Sequence, residues 1–112
     1  MAACRVTIPV VGKTISVIAL DGELDIASVG TLDQAVKRCW AELPTKLHID
    51  CSRLSFMDSM GIRSLLRALR WLQSEGIAVT FEMNRQITRM LNRVGLDDQL
   101  HPIERDRTAV GS

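Results

Sequence analysis

The middle of the chain constrains the fold most, because its hydrophobic period changes twice there. The run KLHIDC at 46–51 is short and apolar, which is typical of a buried strand. After the turn at 58–61, an apolar stripe at three- and four-residue spacing continues to about residue 74 and indicates an amphipathic helix. The stripe consists of Ile62, Leu65, Leu66, Leu69 and Leu72. IAVTFEM at 77–83 then reads as another strand, so the order predicts a parallel crossover.

Two runs near the amino terminus indicate a hairpin. Residues 4–10 and 14–20 are β-branched and apolar, and the turn-forming Val-Gly-Lys lies between them. We expect these strands to pair antiparallel. Pro9 should lie on an edge of the sheet, because proline lacks the N–H that a central strand needs.

Two further amphipathic helices are expected. The first lies within 22–43 and should stop at Pro44. Its inward residues are Val29, Leu32, Val36, Cys39 and Leu43. Gly30 should cost this helix about 1 kcal/mol relative to alanine, and we expect close packing to be the reason for it. The second begins after Asn84, a favoured N-cap, and Gly95 followed by leucine suits a left-handed stop. Its inward residues are Ile87, Met90, Leu91 and Val94.

A last short strand around 100–104 completes an alternation of strands and helices. We therefore predict an α/β fold: a mixed central β-sheet, with an N-terminal antiparallel hairpin and parallel crossovers, covered by amphipathic helices. The 112 residues suffice for one domain with a real core and are too few for two. We expect a single domain over 1–112, with its core at about 4–104 and a polar C-terminal tail at 105–112.

Composition and charge argue against several classes of protein. Apolar residues make up 46% and charged residues 24%, which argues against disorder, and a net charge of +1 gives no general reason to expect nucleic acid or membrane as partner. Cys4, Cys39 and Cys51 are odd in number and contain no Cys-x-x-Cys pair, so they suggest neither a disulfide framework nor a zinc site. Arg5 and Lys13 interrupt the apolar amino terminus, which a signal peptide or membrane span tolerates poorly. We expect a cytoplasmic protein without membrane insertion.

Ser59, in the stretch SFMDSMGIRS at 55–64, has three alternative roles: nucleophile, part of a helix start, or modification site. A nucleophilic serine needs a base within hydrogen-bond reach, and the G-x-S-x-G turn of hydrolases is absent. The histidines, His48 and His101, are expected to be remote from it, half-buried or at an edge. Metal-ligand spacings and phosphate-binding glycine motifs are also absent, so we expect no metal, no cofactor and no enzyme activity.

The residues around Ser59 fit a helix start. Asp58 is a favoured N-cap, because its carboxylate can accept hydrogen bonds from amides of the first turn, and serine is ordinary at the first helical position. The same geometry favours a phosphate on Ser59, which would lie against free backbone N–H groups at the positive end of a helix. A cap and a phosphorylation switch are therefore compatible.

Arg63, Arg67 and Arg70 form a basic stripe beside the apolar stripe of the same helix, because they are spaced by four and three residues. Such charges usually form a solvated helix face. The functional interpretation is that the stripe meets an acidic partner, and that Arg63, one turn after Ser59, pairs with a phosphate there.

The chain resembles the bacterial anti-sigma factor antagonists, single-domain members of the sulfate transporter and anti-sigma factor antagonist (STAS) family. The resemblance rests on the order and spacing of several features rather than on one motif. These are the opening hairpin, GELDIAS at 22–28, the apolar strand that leads into Met57-Asp58-Ser59, and MLNRVGLDDQLHPI at 90–103 with its Val-Gly-Leu helix stop.

This resemblance implies a regulator that switches partners. Such an antagonist binds an anti-sigma factor that is also a serine kinase and so frees a sigma factor for transcription, often in a stress response. The kinase phosphorylates the serine after the motif aspartate, here Ser59, which releases the complex, and a phosphatase restores the protein. The implied contact surface includes Asp25, Ser28, Asp58, Ser59, Met60 and the exposed start of the second helix, to which the basic stripe adds Arg63 and Arg67. The free protein is expected to be a monomer that contacts no nucleic acid directly.

Two positions depart from the usual family pattern. A second small hydroxyl residue commonly follows the motif serine, whereas this chain has Met60, and Arg63 stands where glycine or an apolar residue is frequent. Met60 removes an alternative phosphate acceptor and adds apolar contact area. The alternative function is a structural or adaptor STAS subunit, in a signalling scaffold or beside a membrane transporter, in which Ser59 is only part of the cap.

Overall fold

The computed structural model describes residues 4–105, which form five strands and four helices. In chain order these are β1 (Arg5–Val10), β2 (Ile15–Leu24), α1 (Val29–Trp40), β3 (Lys46–Met57), α2 (Ser59–Ser74), β4 (Ala78–Met83), α3 (Arg85–Arg93), α4 (Asp97–Leu100) and β5 (Ile103–Glu104). The strands form one sheet in the order β1-β2-β3-β4-β5; β1 pairs antiparallel with β2, and the other pairs are parallel. This confirms the predicted mixed sheet, with Pro9 on an edge strand. Except for Arg105, the predicted polar tail lies outside the described residues.

One face of the sheet packs against the helices and forms the core. Its fully buried strand residues include Ile18, Leu20, Leu47, Ile49, Phe81 and Met83. The predicted α2 stripe is buried against this face, and so are Leu32, Val36 and Cys39 of α1. Alternate strand residues such as Val17, His48 and Thr80 are half-buried on the opposite face. Among residues 4–105, no helix is both long and apolar enough to cross a membrane.

Two residues predicted to face inward are exposed. Leu43 is 69% exposed because α1 ends at Trp40, before Pro44, and the chain then turns with Leu43 in a left-handed conformation at φ 49°. Val94 is 58% exposed because α3 ends at Arg93. The predictions for these two residues were wrong, since the hydrophobic period continues past the ends of both helices.

Gly30 does not mark close packing, contrary to the prediction. It is exposed in the first turn of α1, and a Cβ atom added there would meet no atom within 4 Å. By contrast, the predicted left-handed stop at Gly95 is confirmed by its φ of 73°, and Leu96 packs against the core.

The strands and the last helix also differ from their predicted bounds. β2 continues to Leu24 through Gly22, whose φ is 109°, and its register against β3 shifts on either side of this glycine. The sequence had instead indicated that the stretch from residue 22 belongs to the segment of the first helix. Helix α4 was not predicted, and it includes Leu100, which was expected to begin the last strand.

Asn84 supports the end of β3 that leads to Ser59. Its Oδ1 accepts a hydrogen bond from Ile87 N at 2.9 Å, which confirms the predicted cap of α3. Its Nδ2 donates to the carbonyl oxygens of Ser52 at 3.0 Å and Leu54 at 2.7 Å. Because β4 pairs with β3 only as far as Cys51, this side chain continues the pairing beyond the end of β4.

Asn84→Ala is expected to lower the free energy of unfolding by about 2–3 kcal/mol. Loss of the cap accounts for about 1 kcal/mol, and loss of the hydrogen bonds to the two carbonyl oxygens of β3 accounts for the rest. Urea denaturation of both proteins measures the difference. Asn84→Asp is the matched control, because it keeps an acceptor for Ile87 N but no donor for β3. If Asn84→Asp has the same free energy of unfolding as the wild type, then only the cap of Asn84 stabilises the protein, and its hydrogen bonds to β3 do not.

Candidate functional site

The site lies where the carboxyl ends of β2 and β3 meet. Leu24 pairs with Met57 in the parallel register, so the loop after β2 and the start of α2 share one edge of the sheet. Asp58 N donates to the carbonyl oxygen of Leu24 at 3.1 Å, which joins the two connections directly. Loops at the carboxyl ends of parallel strands are common ligand and partner sites in α/β proteins.

Asp58 begins α2 as the sequence predicted. Its backbone is extended (φ −88°, ψ −179°), and its Oδ1 accepts a hydrogen bond from Gly61 N at 2.8 Å. Its carbonyl oxygen accepts one from Ile62 N at 3.0 Å. Ser59 is the first residue of the helix and is exposed. Ser59 therefore lies at the positive end of a sixteen-residue helix.

Gly61 allows α2 to begin this close to the sheet. A Cβ atom at this position would lie 2.5 Å from the carbonyl oxygen of Leu24 and 3.0 Å from Cγ of both Leu24 and Met57. The first contact is with backbone, which cannot rotate away. Gly61 therefore fixes the distance between the start of α2 and the end of β2, a role that sequence reasoning missed.

Asp25 and Ser28 shape the loop between β2 and α1. Oδ1 of Asp25 accepts hydrogen bonds from Ala27 N at 3.0 Å and from Ser28 Oγ at 3.2 Å, and the Asp25 carbonyl oxygen accepts one from Ser28 N at 2.9 Å. Ser28 is only 8% exposed. The structure thus brings both predicted contact residues to the edge that holds Ser59, with Ser28 facing inward.

Two exposed apolar residues flank this edge. Ile26 in the β2–α1 loop is 65% exposed, and Phe56, three residues before Ser59, is 44% exposed. Met60, in the first turn of α2, is half-buried. The sequence analysis missed Ile26 and Phe56. The available signal was that both are large apolar residues next to turn and cap residues.

The basic stripe lies on the exposed side of α2. Arg63, Arg67 and Arg70 are all exposed, and none takes part in an ion pair within residues 4–105. Arg70 Nη2 donates to the neutral Gln99 Oε1 at 3.2 Å. Arg63 stands four residues after Ser59, which places the two on the same face of the helix, one turn apart.

The histidines do not lie near Ser59. His48 is in β3, roughly 30 Å before the end of the strand at about 3.3 Å per residue; its Nδ1 is 2.7 Å from Thr80 Oγ1 and its Nε2 is 3.0 Å from Glu82 Oε1. His101 follows α4, which contacts α2 at Arg70, roughly 16 Å along the helix from Ser59. The half-buried histidine predicted at 48 is confirmed, and neither ring is a base for Ser59.

The cysteine thiols are not activated either. Burial raises the pKa of Cys51 above its ordinary value, and burial is also the largest cause of the raised pKa of Cys4 and Cys39. A nucleophilic cysteine needs the opposite shift, because the thiolate is the reactive form.

Comparison with known proteins places this geometry in a family. A family model described as STAS domain matches residues 6–109. The anti-sigma-F factor antagonist RsfB of Mycobacterium tuberculosis is 33% identical over 51 residues, which are 46% of this chain and 42% of that protein. The match thus spans less than half the length of this curated relative.

Solved structures share the fold. An anti-sigma factor antagonist from Mycobacterium paratuberculosis superposes with a TM-score of 0.77 at 24% identity, over 90% of this chain and 86% of that one. The anti-sigma factor antagonist SpoIIAA in its unphosphorylated form has a TM-score of 0.73 at 21% identity, over 95% and 92%. The phosphorylated form of the Bacillus SpoIIAA has a TM-score of 0.68 at 21% identity, over 95% and 96%.

Proposed function

The chain belongs to the STAS family, and we propose that it is an anti-sigma factor antagonist whose partner binding is controlled by phosphorylation of Ser59. The observation that supports this most is the exposed Ser59 hydroxyl at the first position of α2, held there by the Asp58 cap and the close approach at Gly61. The relatives named above as anti-sigma factor antagonists support the choice of partner. The kinase would be the anti-sigma factor itself, and a phosphatase would reverse the modification.

The proposed contact surface combines apolar and charged parts. Ile26, Phe56 and Met60 supply apolar area around Ser59, while Arg63 supplies positive charge one turn along α2. Protein interfaces commonly combine an apolar centre with a polar rim. Asp25 and Ser28 would contribute chiefly by fixing the loop that presents Ile26.

Phosphorylation changes the charge at the centre of this surface. A phosphate on Ser59 adds about −1.5 to −2 charge at neutral pH and a strongly hydrated group. The first-turn amides of α2 and Arg63 stabilise that charge in the free protein. Binding the partner would require removing water from the phosphate, so the modified protein is released without any change of fold.

Incubation with ATP and each anti-sigma factor kinase of the source organism, followed by mass spectrometry, tests this proposal. We expect one phosphate, on Ser59, and none in Ser59→Ala. Ser55 is an internal comparison, because it is also exposed but its hydroxyl donates to the Gly22 carbonyl oxygen at 3.1 Å. If every kinase leaves Ser59 unmodified, the switch is excluded and the adaptor alternative is favoured.

Arg63→Ala is expected to weaken binding of the anti-sigma factor by roughly five- to tenfold at low salt, and by less as ionic strength rises, because an exposed charge pair is screened. Titration calorimetry at two salt concentrations measures this. Arg89→Ala on α3 is the matched control, since it removes an exposed arginine that is not part of the proposed contact surface. Equal affinities of wild type and Arg63→Ala at low salt would show that Arg63 does not contact the partner and is only part of a solvated helix face.

A further inference from the structure

A groove runs between the exposed sides of α1 and α2, beyond the residues that surround Ser59. One cleft of about 330 Å³ lies between the two helices. A second cleft, of about 630 Å³, is lined by α2 residues alone and shares two of its residues with the first. We call the two together the α1–α2 groove. Its lining residues are Asp33, Val36 and Lys37 of α1, and Arg63, Leu66, Arg67, Ala68, Arg70 and Trp71 of α2. Arg67 and Trp71 line both clefts and are the residues that the two parts of the groove share.

The groove concentrates positive charge. Lys37 and the three arginines of the basic stripe face a single carboxylate, that of Asp33, although the whole chain has a net charge of only +1. No lining cation takes part in an ion pair within the part of the chain that the structure describes. The groove is therefore complementary to a negatively charged surface.

The floor of the groove is apolar and held in place. Trp71 packs against Trp40 with ring centroids 5.3 Å apart at an interplanar angle of 44°. Trp40 Nε1 in turn donates to Glu75 Oε1 at 3.0 Å, which ties α1 to the end of α2. Trp71 thus presents a rigid aromatic surface, flanked by Val36 and Ala68. The groove thus combines tryptophan with arginine. Both residue types are enriched among the few interface residues that supply most of the binding energy.

We propose that the α1–α2 groove is a docking site for an acidic amphipathic helix of the anti-sigma factor kinase, which adjoins the contact at Ser59 through Arg63 and extends beyond it. This inference rests on the proposed function. The carboxylates of such a helix would pair with the arginines and Lys37, and its apolar residues would pack on Trp71, as in other cases of a helix bound in a groove. At about 1.5 Å per residue, Arg67 and Trp71 lie roughly 12 and 18 Å along α2 from Ser59, so the groove can remain occupied while Ser59 is in the kinase active site.

The kinetics of Ser59 phosphorylation test this docking. With the kinase that modifies Ser59, Arg67→Glu is expected to raise KM roughly tenfold or more and to leave kcat within about twofold, because docking adds affinity without touching the reacting hydroxyl. Arg67→Lys should keep most of the wild-type KM, since the charge remains. Arg89→Glu on α3 is the matched control and should behave as wild type. Thermal melting of each variant confirms that this exposed substitution leaves the fold intact.

The outcomes separate the two proposals. Ser59 phosphorylation with the same KM in wild type and Arg67→Glu overturns the groove as a docking site and leaves the proposed function intact. A fall in kcat at unchanged KM also overturns it, because the residue would then act on the reaction rather than on docking. If no kinase modifies Ser59 in the wild-type protein, the proposed function fails, and the docking inference fails with it.

Discussion

Gly61→Ala is expected to lower the free energy of unfolding by about 2–3 kcal/mol, at the upper end of what an added methyl group costs in a tightly packed place. The added Cβ would lie 2.5 Å from the Leu24 carbonyl oxygen, which also accepts the hydrogen bond from Asp58 N. Relief of this contact must separate α2 from the end of β2. The same movement displaces Ser59, so we also expect weaker binding of the anti-sigma factor.

Gly30→Ala is the matched control, because it adds the same methyl group in the first turn of the other long helix. There the added Cβ atom would meet no atom within 4 Å. Alanine reduces the conformational freedom of the unfolded chain, so Gly30→Ala should raise the free energy of unfolding by about 0.5–1 kcal/mol. Urea denaturation measures both variants. A Gly61→Ala protein as stable as wild type would show that α2 is not held at this distance from the sheet by the glycine.

Ser59→Glu is expected to weaken binding of the anti-sigma factor by roughly a hundredfold or more, the effect of an unpaired charge placed in an interface. Ser59→Ala should bind within about threefold of wild type, because it removes only an exposed hydroxyl. Titration calorimetry of the three proteins against the anti-sigma factor measures this.

The stability of Ser59→Glu should change in the opposite direction from its binding. A carboxylate in the first turn of α2 interacts favourably with the helix dipole, which should raise the free energy of unfolding by about 0.3–1 kcal/mol. Loss of binding in a protein of unchanged or greater stability cannot result from unfolding. Equal affinities of wild type, Ser59→Ala and Ser59→Glu would instead show that Ser59 only takes part in the helix start.

The sequence predicted the helix start because local chemistry determines it. Asp58 and Asn84 cap their helices through their own side chains, and the stripe of α2 repeats often enough to identify its buried face. The location of Ser59 at an exposed first helical position follows from these local signals alone.

Other parts of the site depend on contacts between segments distant in the chain. The requirement for Gly61 arises from Leu24, thirty-seven residues earlier, and the pairing of the end of β3 is completed by Asn84. The groove requires α1 and α2 to lie side by side, which brings Lys37 near Arg67. Hydrophobic periodicity contains no information on any of these distances.

The most direct measurement is the affinity of the anti-sigma factor for the same protein before and after phosphorylation of Ser59 by its kinase, with modification checked by mass spectrometry. We predict tight binding of the unmodified protein, a loss of roughly a hundredfold or more on phosphorylation, and recovery after phosphatase treatment. Equal affinity of the unmodified and fully phosphorylated proteins would contradict the proposal that Ser59 controls partner binding.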